Sequence, residues 1–280
     1  MSGSGRQVPH VIAVVLNWRD AVSTRSCVES LLREEGVSSI VVVDNESTGE
    51  LRTLVAPRVA LVEEAENLGF SRGVNIGIRE ALTRGADAVL VINNDAIVEP
   101  RAVAELVNAW QARGSDAGII APIVRNPDGT VQSSGCKLRA FDATTSDNAG
   151  PAKANYLTWA CVLVPRSTTD VVGLLDERFF MYWEDVDYGL RVRDAGLELV
   201  LAERASVVHE KSSSHSAAGV KIDQYGARGL VILARTRGGL LLFVGLPLRV
   251  LARVAKRILS GRPRHAVATL RGVVDGWRAA

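Results

Sequence analysis

The chain has 280 residues, of which 47% are hydrophobic and 23% are charged, and its formal net charge is +2. This composition is typical of a globular protein of one or two domains with a large apolar core. The near-zero net charge argues against a nucleic-acid binder that depends on bulk electrostatics.

Alternating apolar runs and helical patterns fill the first part of the chain. We predict buried strands at VIAVVL (11–16), SIVVVDN (39–45), VALVEEAEN (59–67) and ADAVLVINND (86–95), with helices over 24–34 and 71–84 and another that opens at Pro100. Strands that alternate with helices at this pace predict an α/β protein with a mainly parallel sheet and right-handed crossovers.

Three of these strands end in polar groups, in the strings NWRD, DNEST and NND. Ligands of open α/β sheets bind outside the carboxyl ends of the strands. We therefore expect a binding site at this edge of the sheet. The chain has no GxGxxG after its first strand, which argues against a Rossmann dehydrogenase.

The second half is less regular. We predict turns in NPDGTVQSSG (126–135), a long polar loop at 139–155, a strand at LTWACVLVP (157–165) and a helix that ends near Ala195 with Gly196 as its stop. Residues 197–209 predict two short strands, and a polar segment follows. The three cysteines, Cys27, Cys136 and Cys161, are far apart and form no CxxC, so we expect a cytoplasmic protein without disulfides. The N-terminus has no apolar run behind its first Arg, so we expect no secretory signal.

The tail contains a basic amphipathic helix over 240–259. Four basic residues recur on one face and apolar residues fill the other; they are Arg249, Arg253, Lys256 and Arg257. The apolar run is too short to span a bilayer. Such a helix suits a membrane surface. The alternatives are packing against the protein body or against a partner subunit in a homodimer.

The stretch ERFFMYWEDVDYGLRVRDAG (177–196) places three acids, Glu184, Asp185 and Asp187, directly behind four aromatic residues. Acids beside apolar rings are costly unless partners or chemistry repay the desolvation. Stabilisation by the start of a helix explains Glu184 and Asp187, but it does not explain three acids together behind the rings.

The ordered blocks VVLNW, VVVDNEST, ENLGFSRGVNIG, VLVINNDAIVEP, NPDGTVQSSG, WACVLVPRS, LDERFFMYWEDVDYGLRVRDAG and VVH resemble the inverting family-two glycosyltransferases of the GT-A fold, most of all their rhamnosyltransferase-like branch. The resemblance covers about residues 10–215. It implies a catalytic domain at 1–215, with a nucleotide-sugar-binding half at about 10–115 and an acceptor-binding half at about 116–215. Residues 216–280 then form a C-terminal helical extension.

The resemblance implies a donor site at the strand ends. Asp44 matches the acid that accepts the imide N–H of a uracil or thymine ring; without the resemblance it reads as a turn residue. Arg72 either reaches the diphosphate or is solvated. The complete expected donor set is Leu16, Asn17, Asp44, Asn67, Gly69, Arg72, Asn75, Asn93, Asn94 and Asp95.

The resemblance also implies a Mg²⁺ or Mn²⁺ cofactor that neutralises the leaving diphosphate. Asn93-Asn94-Asp95 stands where the family carries D-x-D, so Asp95 is the expected metal ligand. His209 matches the family's second ligand, whereas His215 has no comparable support. A single carboxylate predicts weak metal binding in the absence of the donor.

The ED pair points to Asp185 as the general base, with Glu184 as the alternative base or an acceptor contact. We expect the helix start to lower the pKa of the base. Trp159, Tyr182 and Trp183 are the expected aromatic contacts to the acceptor. The loops at 136–160 and 210–240 are expected to shape its pocket.

Together these features predict a metal-dependent transferase that moves a hexose or deoxyhexose from a dTDP- or UDP-sugar to a hydroxyl group with inversion. The acceptor is a glycan, a lipid-linked glycan or a natural product. The protein is expected in the cytoplasm, either free or at the inner face of the membrane. A catalytically inactive sugar-nucleotide-binding or scaffold protein is the alternative, against which the joint presence of Asp95, Asp185 and His209 argues.

Overall fold

The computed structural model describes residues 9–54, 56–210 and 219–279. Its main sheet has nine strands, and the eight on its main path run in the order β3-β2-β1-β4-β10-β6-β11-β5; β7 pairs with β6 off that path, and β8 and β9 form a separate hairpin. The strands are β1 (Val11–Asn17), β2 (Ser39–Asn45), β3 (Val59–Glu64), β4 (Ala88–Asn93), β5 (Ala96–Val98), β6 (Ala117–Arg125), β7 (Val131–Ser133), β8 (Lys137–Arg139), β9 (Thr144–Ser146), β10 (Cys161–Pro165) and β11 (Glu198–His209).

Helices cover the faces of the sheet and form the C-terminal region. They are α1 (Ala21–Leu32), α2 (Phe70–Thr83), α3 (Ala102–Arg113), α4 (Arg166–Val172), α5 (Glu184–Asp194), α6 (Lys221–Arg237), α7 (Leu246–Leu259) and α8 (Pro263–Ala279). A π-helical turn, Leu241–Gly245, leads into α7. Among the described helices, none is both long and apolar enough to cross a bilayer.

The first half confirms the predicted parallel sheet. Strands β1 to β4 pair in parallel, and the register sets Asn17 beside Asp44 and Leu16 beside Asn93. Helix α2 packs closely on β1 through two glycines that have no Cβ atom. A Cβ at Gly73 would lie 2.6 Å from Leu16, and one at Gly77 would lie 2.3 Å from Val14. This contact places the start of α2 over the ends of β1 and β2.

The second half departs from the predictions at two strands. Strand β6, a buried strand in the middle of the sheet that no prediction covered, pairs with β10 and β11. Residues 198–209 form one long strand, not two, because the register shift between Ala202 and Ser206 is a bulge that keeps pairing with β6 intact. The bulged strand delivers His209 to the edge where β4 ends.

Two boundaries also differ. Helix α3 begins at Ala102 because Arg101 adopts a left-handed φ of 68°, so Pro100 precedes the helix. The predicted loop at 139–155 contains most of the β8–β9 hairpin. In the predicted loop at 210–240, residues 221–237 form α6, while 211–218, with His215, lie outside the described residues.

The helices after residue 219 share a core with the segment before α5. Phe179 and Trp183 of that segment pack in one cluster with Leu230 and Leu233 of α6 and with Leu246 of α7. Trp183 Nε1 donates to the carbonyl of Gly226 at 2.8 Å. The C-terminal helices therefore support the stretch that carries the ED pair.

Gly229 of α6 is the closest approach in this contact. A Cβ atom there would lie 2.6 Å from the carbonyl oxygen of Tyr182 and 2.9 Å from Trp183 Cδ1. At Gly226 the nearest atom is the flexible Arg253 guanidinium, at 3.1 Å. Both glycines are helical, so the intrinsic gain of about 1 kcal/mol from Gly→Ala is the same at both.

We expect Gly229→Ala to destabilise the protein by about 1–3 kcal/mol through overpacking against backbone, with Gly226→Ala close to wild type. Chemical denaturation of both variants measures the difference. Equal stability of the two would contradict the close packing of α6 on this segment.

Candidate active site

The ends of β1 and β2 form a fixed polar floor. Asn17 Nδ2 donates to Asp44 Oδ1 at 2.6 Å, and Asn17 Oδ1 accepts from Thr24 Oγ1 and from the N–H of Asp20. Both Asn17 and Asp44 are buried. The second carboxylate oxygen of Asp44 remains an acceptor at the edge where a ligand is expected.

The segment before α2 joins this floor to the ED stretch. Asn45 Nδ2 donates to Asn67 Oδ1 and to the Gly69 carbonyl, and Asn67 Oδ1 also accepts from the N–H of Gly69. The N–H of Phe70 donates to the Phe180 carbonyl at 2.6 Å. A Cβ atom at Gly69 would lie 2.4 Å from that same carbonyl, so the close approach requires glycine.

Two predicted donor residues differ in their surroundings. Asn75 is fully buried. Its Nδ2 donates to the Leu175 carbonyl and to Glu177 Oε1, and its Oδ1 accepts from the N–H of Leu175. It has no exposed atom for a donor, so its place in the expected donor set is corrected to the joint between α2 and the segment before α5. Arg72 is exposed at the start of α2.

Asp95 and His209 come together although they are far apart in sequence. His209 Nε2 lies 3.1 Å from Asp95 Oδ1. The pairing of β11 with β5 produces this contact, since His209 stands opposite Ala96.

Gln132, which lies in the block NPDGTVQSSG but had no predicted role, orients the imidazole of His209. Its Nε2 donates to Asn126 Oδ1 and to the His209 carbonyl, so its Oε1 is the acceptor that faces His209 Nδ1 at 2.7 Å. Nδ1 therefore carries a proton, and the second ring nitrogen, Nε2, faces Asp95. At that separation Nε2 is either the N–H donor of an imidazolium to Asp95 or, when unprotonated, a second ligand beside Asp95 for a divalent ion.

Asn93 and Asn94 lie beside the contact between Asp95 and His209. Asn93 Nδ2 lies 3.4 Å from His209 Nε2. Asn94 Nδ2 donates to Thr24 Oγ1 and to the Asp20 carbonyl, which ties the end of β4 to α1. Within the described ranges, no three His, Cys, Asp or Glu side chains converge as a complete metal cage. Asp95 and His209 thus fit a metal whose remaining ligands are phosphate oxygens and water.

The ED pair begins α5 immediately after two strained residues. Tyr182 and Trp183 have φ values of 71° and 75°, a left-handed conformation that is unfavourable for bulky side chains. Glu184 is only 8% exposed, and its Oε2 has no hydrogen-bond partner among the described residues. Asp185 is partly exposed.

Burial controls the ionisation of both carboxyls. It raises the pKa of Glu184 to about 8, with the adjacent Asp185 adding to the effect. Burial also raises the pKa of Asp185 to about 6; the N–H of Val186 opposes this rise, and the nearby Asp147 adds to it. The expectation that the helix start would lower the pKa of the base is therefore wrong.

The aromatic predictions need a similar correction. Trp159 packs edge-on against Tyr188 in the core at a centroid distance of 5.0 Å, and Trp183 packs against α6. Both are buried, because large rings gain more by filling the core than by lining a wet cleft. Neither offers a face to an acceptor. Tyr182 is partly exposed, as is Phe180, which stacks on Tyr225.

Asp187 has a structural role. It is buried and pairs with Arg191 at 2.8 Å and with Arg237 at 3.6 Å. The ion pair with Arg237 links α5 to α6. The expected division between a reactive ED pair and a structural third acid fits this geometry.

Comparison with known proteins identifies the family of the chain. The family described as "Glycosyltransferase like family 2" matches residues 9–223. The chain belongs to this family. It is a glycosyltransferase, and sugar transfer is its chemistry.

Relatives and a solved structure agree with the family. The chain is 32% identical over 217 residues to "N-acetylglucosaminyl-diphospho-decaprenol L-rhamnosyltransferase" of Mycobacterium tuberculosis, covering 66% of this chain and 70% of that protein. It is 22% identical to "dTDP-rhamnosyl transferase RfbF" of Shigella flexneri, covering 96% and 98%. The structure of GalNAc-T7 with UDP, GalNAc and Mn²⁺ superposes with a TM-score of 0.62 at 13% identity, covering 92% of this chain and 59% of that one. The fold is GT-A, as the sequence predicted.

The raised pKa of Glu184 gives this glycosyltransferase a testable pH dependence of stability. Between its ordinary value of 4.5 and about 8, the folded protein keeps a proton on Glu184 that the unfolded chain releases. Stability from this group therefore falls as pH rises through that window. Glu184→Gln removes the ionisation.

We expect the stability of Glu184→Gln relative to wild type to increase by about 1–3 kcal/mol between about pH 5 and pH 9. Denaturant titrations at several pH values measure it. Glu35→Gln, at an exposed glutamate, is the matched control and is expected to show no such trend. A flat difference for Glu184→Gln would show that Glu184 ionises normally.

Proposed function

We propose that this glycosyltransferase moves a deoxyhexose of the rhamnose type from a dTDP- or UDP-sugar to a hydroxyl of a lipid-linked glycan, with inversion. The names of the Mycobacterium tuberculosis and Shigella flexneri relatives support the sugar, and the former supports the acceptor. Residues 10–115 bind the donor and residues 116–215 bind the acceptor.

The donor lies along the edge formed by β1, β2 and β4. Asp44 accepts the imide N–H of the base, and Leu16 and Asn17 flank the ring. Asp95 and His209 hold Mg²⁺ or Mn²⁺, which neutralises the charge of the leaving diphosphate when bound. The contact between His209 Nε2 and Asp95 Oδ1 supports this assignment.

Asp185 is the general base. Its pKa of about 6 keeps it ionised near neutral pH yet basic enough to accept a proton. As the acceptor oxygen forms its bond to the anomeric carbon, the bond from that carbon to the diphosphate breaks and the hydroxyl proton passes to Asp185. Glu184, with a pKa of about 8, stays protonated and adds no second negative charge. The observation that carries the proposal is the difference in burial between the two acids at the start of α5: Glu184 is 8% exposed with Oε2 unpartnered among the described residues, whereas Asp185 is partly exposed.

The first test substitutes the three acids separately. Asp185→Asn is expected to lower kcat by a factor of about 100–10,000 with donor affinity nearly unchanged. The wild-type rate is expected to rise with pH through about 6, the pKa of the base. Turnover is measured with dTDP-rhamnose and an N-acetylglucosaminyl-diphospho-polyprenol.

Glu184→Gln keeps the protonated form and is expected to retain much more activity than Asp185→Asn. Asp187→Asn breaks buried ion pairs, so its loss is expected in stability and not in turnover per folded molecule. Collapse in Glu184→Gln with near-normal turnover in Asp185→Asn would assign the base to Glu184.

The second test concerns the metal site assigned to Asp95 and His209. We expect dTDP or UDP to bind more tightly with Mn²⁺ than with a chelator, as measured by calorimetry. Gln132→Ala frees the imidazole of His209 to turn and is expected to weaken Mn²⁺ binding in the presence of nucleotide by about 10- to 100-fold. Asp116→Asn, at an exposed acid, is the control. Equal nucleotide affinity with and without metal would overturn the assignment.

A further inference from the structure

Helix α7 presents its apolar side to solvent. Leu251, Ile258 and Leu259 are 66%, 58% and 87% exposed, and Leu248 lies on the same stripe. Phe243, in the π-helical turn before α7, is 77% exposed. Isolated exposed apolar residues are ordinary, but a continuous stripe along a helix marks a binding surface.

The charged side of α7 faces inward and fixes this orientation. Asp223 of α6 is fully buried and binds Arg253 at 2.8 Å and Arg257 at 3.0 Å from α7, and His265 at 2.7 Å from α8. Rotating α7 to bury its leucines would remove both guanidinium partners of the buried Asp223 carboxylate, at a high cost. Two of the four cations on the predicted basic face, Arg253 and Arg257, are therefore paired with Asp223.

The surroundings of the stripe are strongly basic. Residues 240–280 contain eight Lys or Arg and one acidic residue, a net charge of +7, whereas residues 1–239 contain 25 Lys or Arg and 30 acidic residues, a net charge of −5. Exposed cations follow and flank the stripe; they are Lys256, Arg262, Arg264, Arg271 and Arg278. The positive charge of the protein is thus concentrated in the region that exposes apolar side chains.

We propose that α7 and its flanking cations dock the protein flat on an anionic phospholipid bilayer. The leucine stripe enters the boundary between headgroups and acyl chains, and the exposed cations bind the lipid phosphates. A second copy of the chain is a poorer occupant, because an isologous contact would bring two strongly basic surfaces together.

The docking helix is joined to the active site. Leu246 at its start shares a core with Trp183 and Val186, on either side of the ED pair. If the acceptor is lipid-linked, a step that rests on the proposed function, docking brings the acceptor hydroxyl and Asp185 to the same surface. Bilayer binding itself needs neither donor nor acceptor.

The test is co-sedimentation of the full chain with vesicles of phosphatidylcholine alone or mixed equally with phosphatidylglycerol. We expect binding to the anionic vesicles, weak binding to the neutral ones, and loss of binding at about 0.5 M salt. The double variant Leu251→Glu/Ile258→Glu is expected to lower the affinity by at least about tenfold. Val171→Glu on α4 changes a side chain that is 66% exposed on a helix outside this region, and it is expected to bind as wild type.

Three results would overturn the proposal: no binding to anionic vesicles, equal binding by the double variant, or equal loss in Val171→Glu. Sedimentation velocity distinguishes the competing occupant. If wild type is a dimer and the double variant a monomer without a change in vesicle binding, the stripe is a subunit interface. Thermal unfolding of each variant checks that the fold is intact.

Discussion

The desolvation of two adjacent carboxyl groups at the start of α5, Glu184 buried and Asp185 partly exposed, is the constraint on which the active site depends. A helix start favours a carboxylate by about 0.3–1 kcal/mol, less than the roughly 1.4 kcal/mol that moves a pKa by one. Burial of Glu184 and Asp185 outweighs it, so the pKa of each rises. The less exposed Glu184 keeps its proton, and the more exposed Asp185 ionises near neutral pH.

Holding that pair requires support from elsewhere in the chain. Tyr182 and Trp183 adopt left-handed backbone conformations that cost of order 1–3 kcal/mol each. The hydrogen bond from Trp183 to Gly226, the fit of Gly229 against Tyr182, and the ion pair between Asp187 and Arg237 hold them there. All three partners lie on α6. Most of α6 lies beyond the family match, which ends at residue 223. This helix is nevertheless part of the support of the site.

The sequence predicted what depends on local pattern and failed where tertiary contacts decide. Buried apolar runs and polar strand ends identified β1, β2 and β4 and placed Asp44 and Asp95 at one edge. Spacing gave no indication that Gln132 would orient His209, since that contact depends on a hairpin and a bulged strand meeting. Strand β6 was missed although its residues, AGIIAPIVR at 117–125, are mostly apolar and end at Arg125. Trp159 and Trp183 were misassigned because a sequence does not distinguish a ring that fills a core from one that lines a cleft.

The orientation of α7 also depends on tertiary contacts that the sequence pattern does not show. Its periodicity gave an amphipathic helix but not which face would be buried, and the usual preference is to bury the apolar one. One acid decides otherwise: Asp223 is buried, and its carboxylate pairs with Arg253, Arg257 and His265. The ion-pair cluster fixes α7 to α6, and α6 fixes the backbone before Glu184. Docking through the apolar stripe of α7 would therefore also orient the backbone that precedes Glu184, because contacts on α6 connect the two.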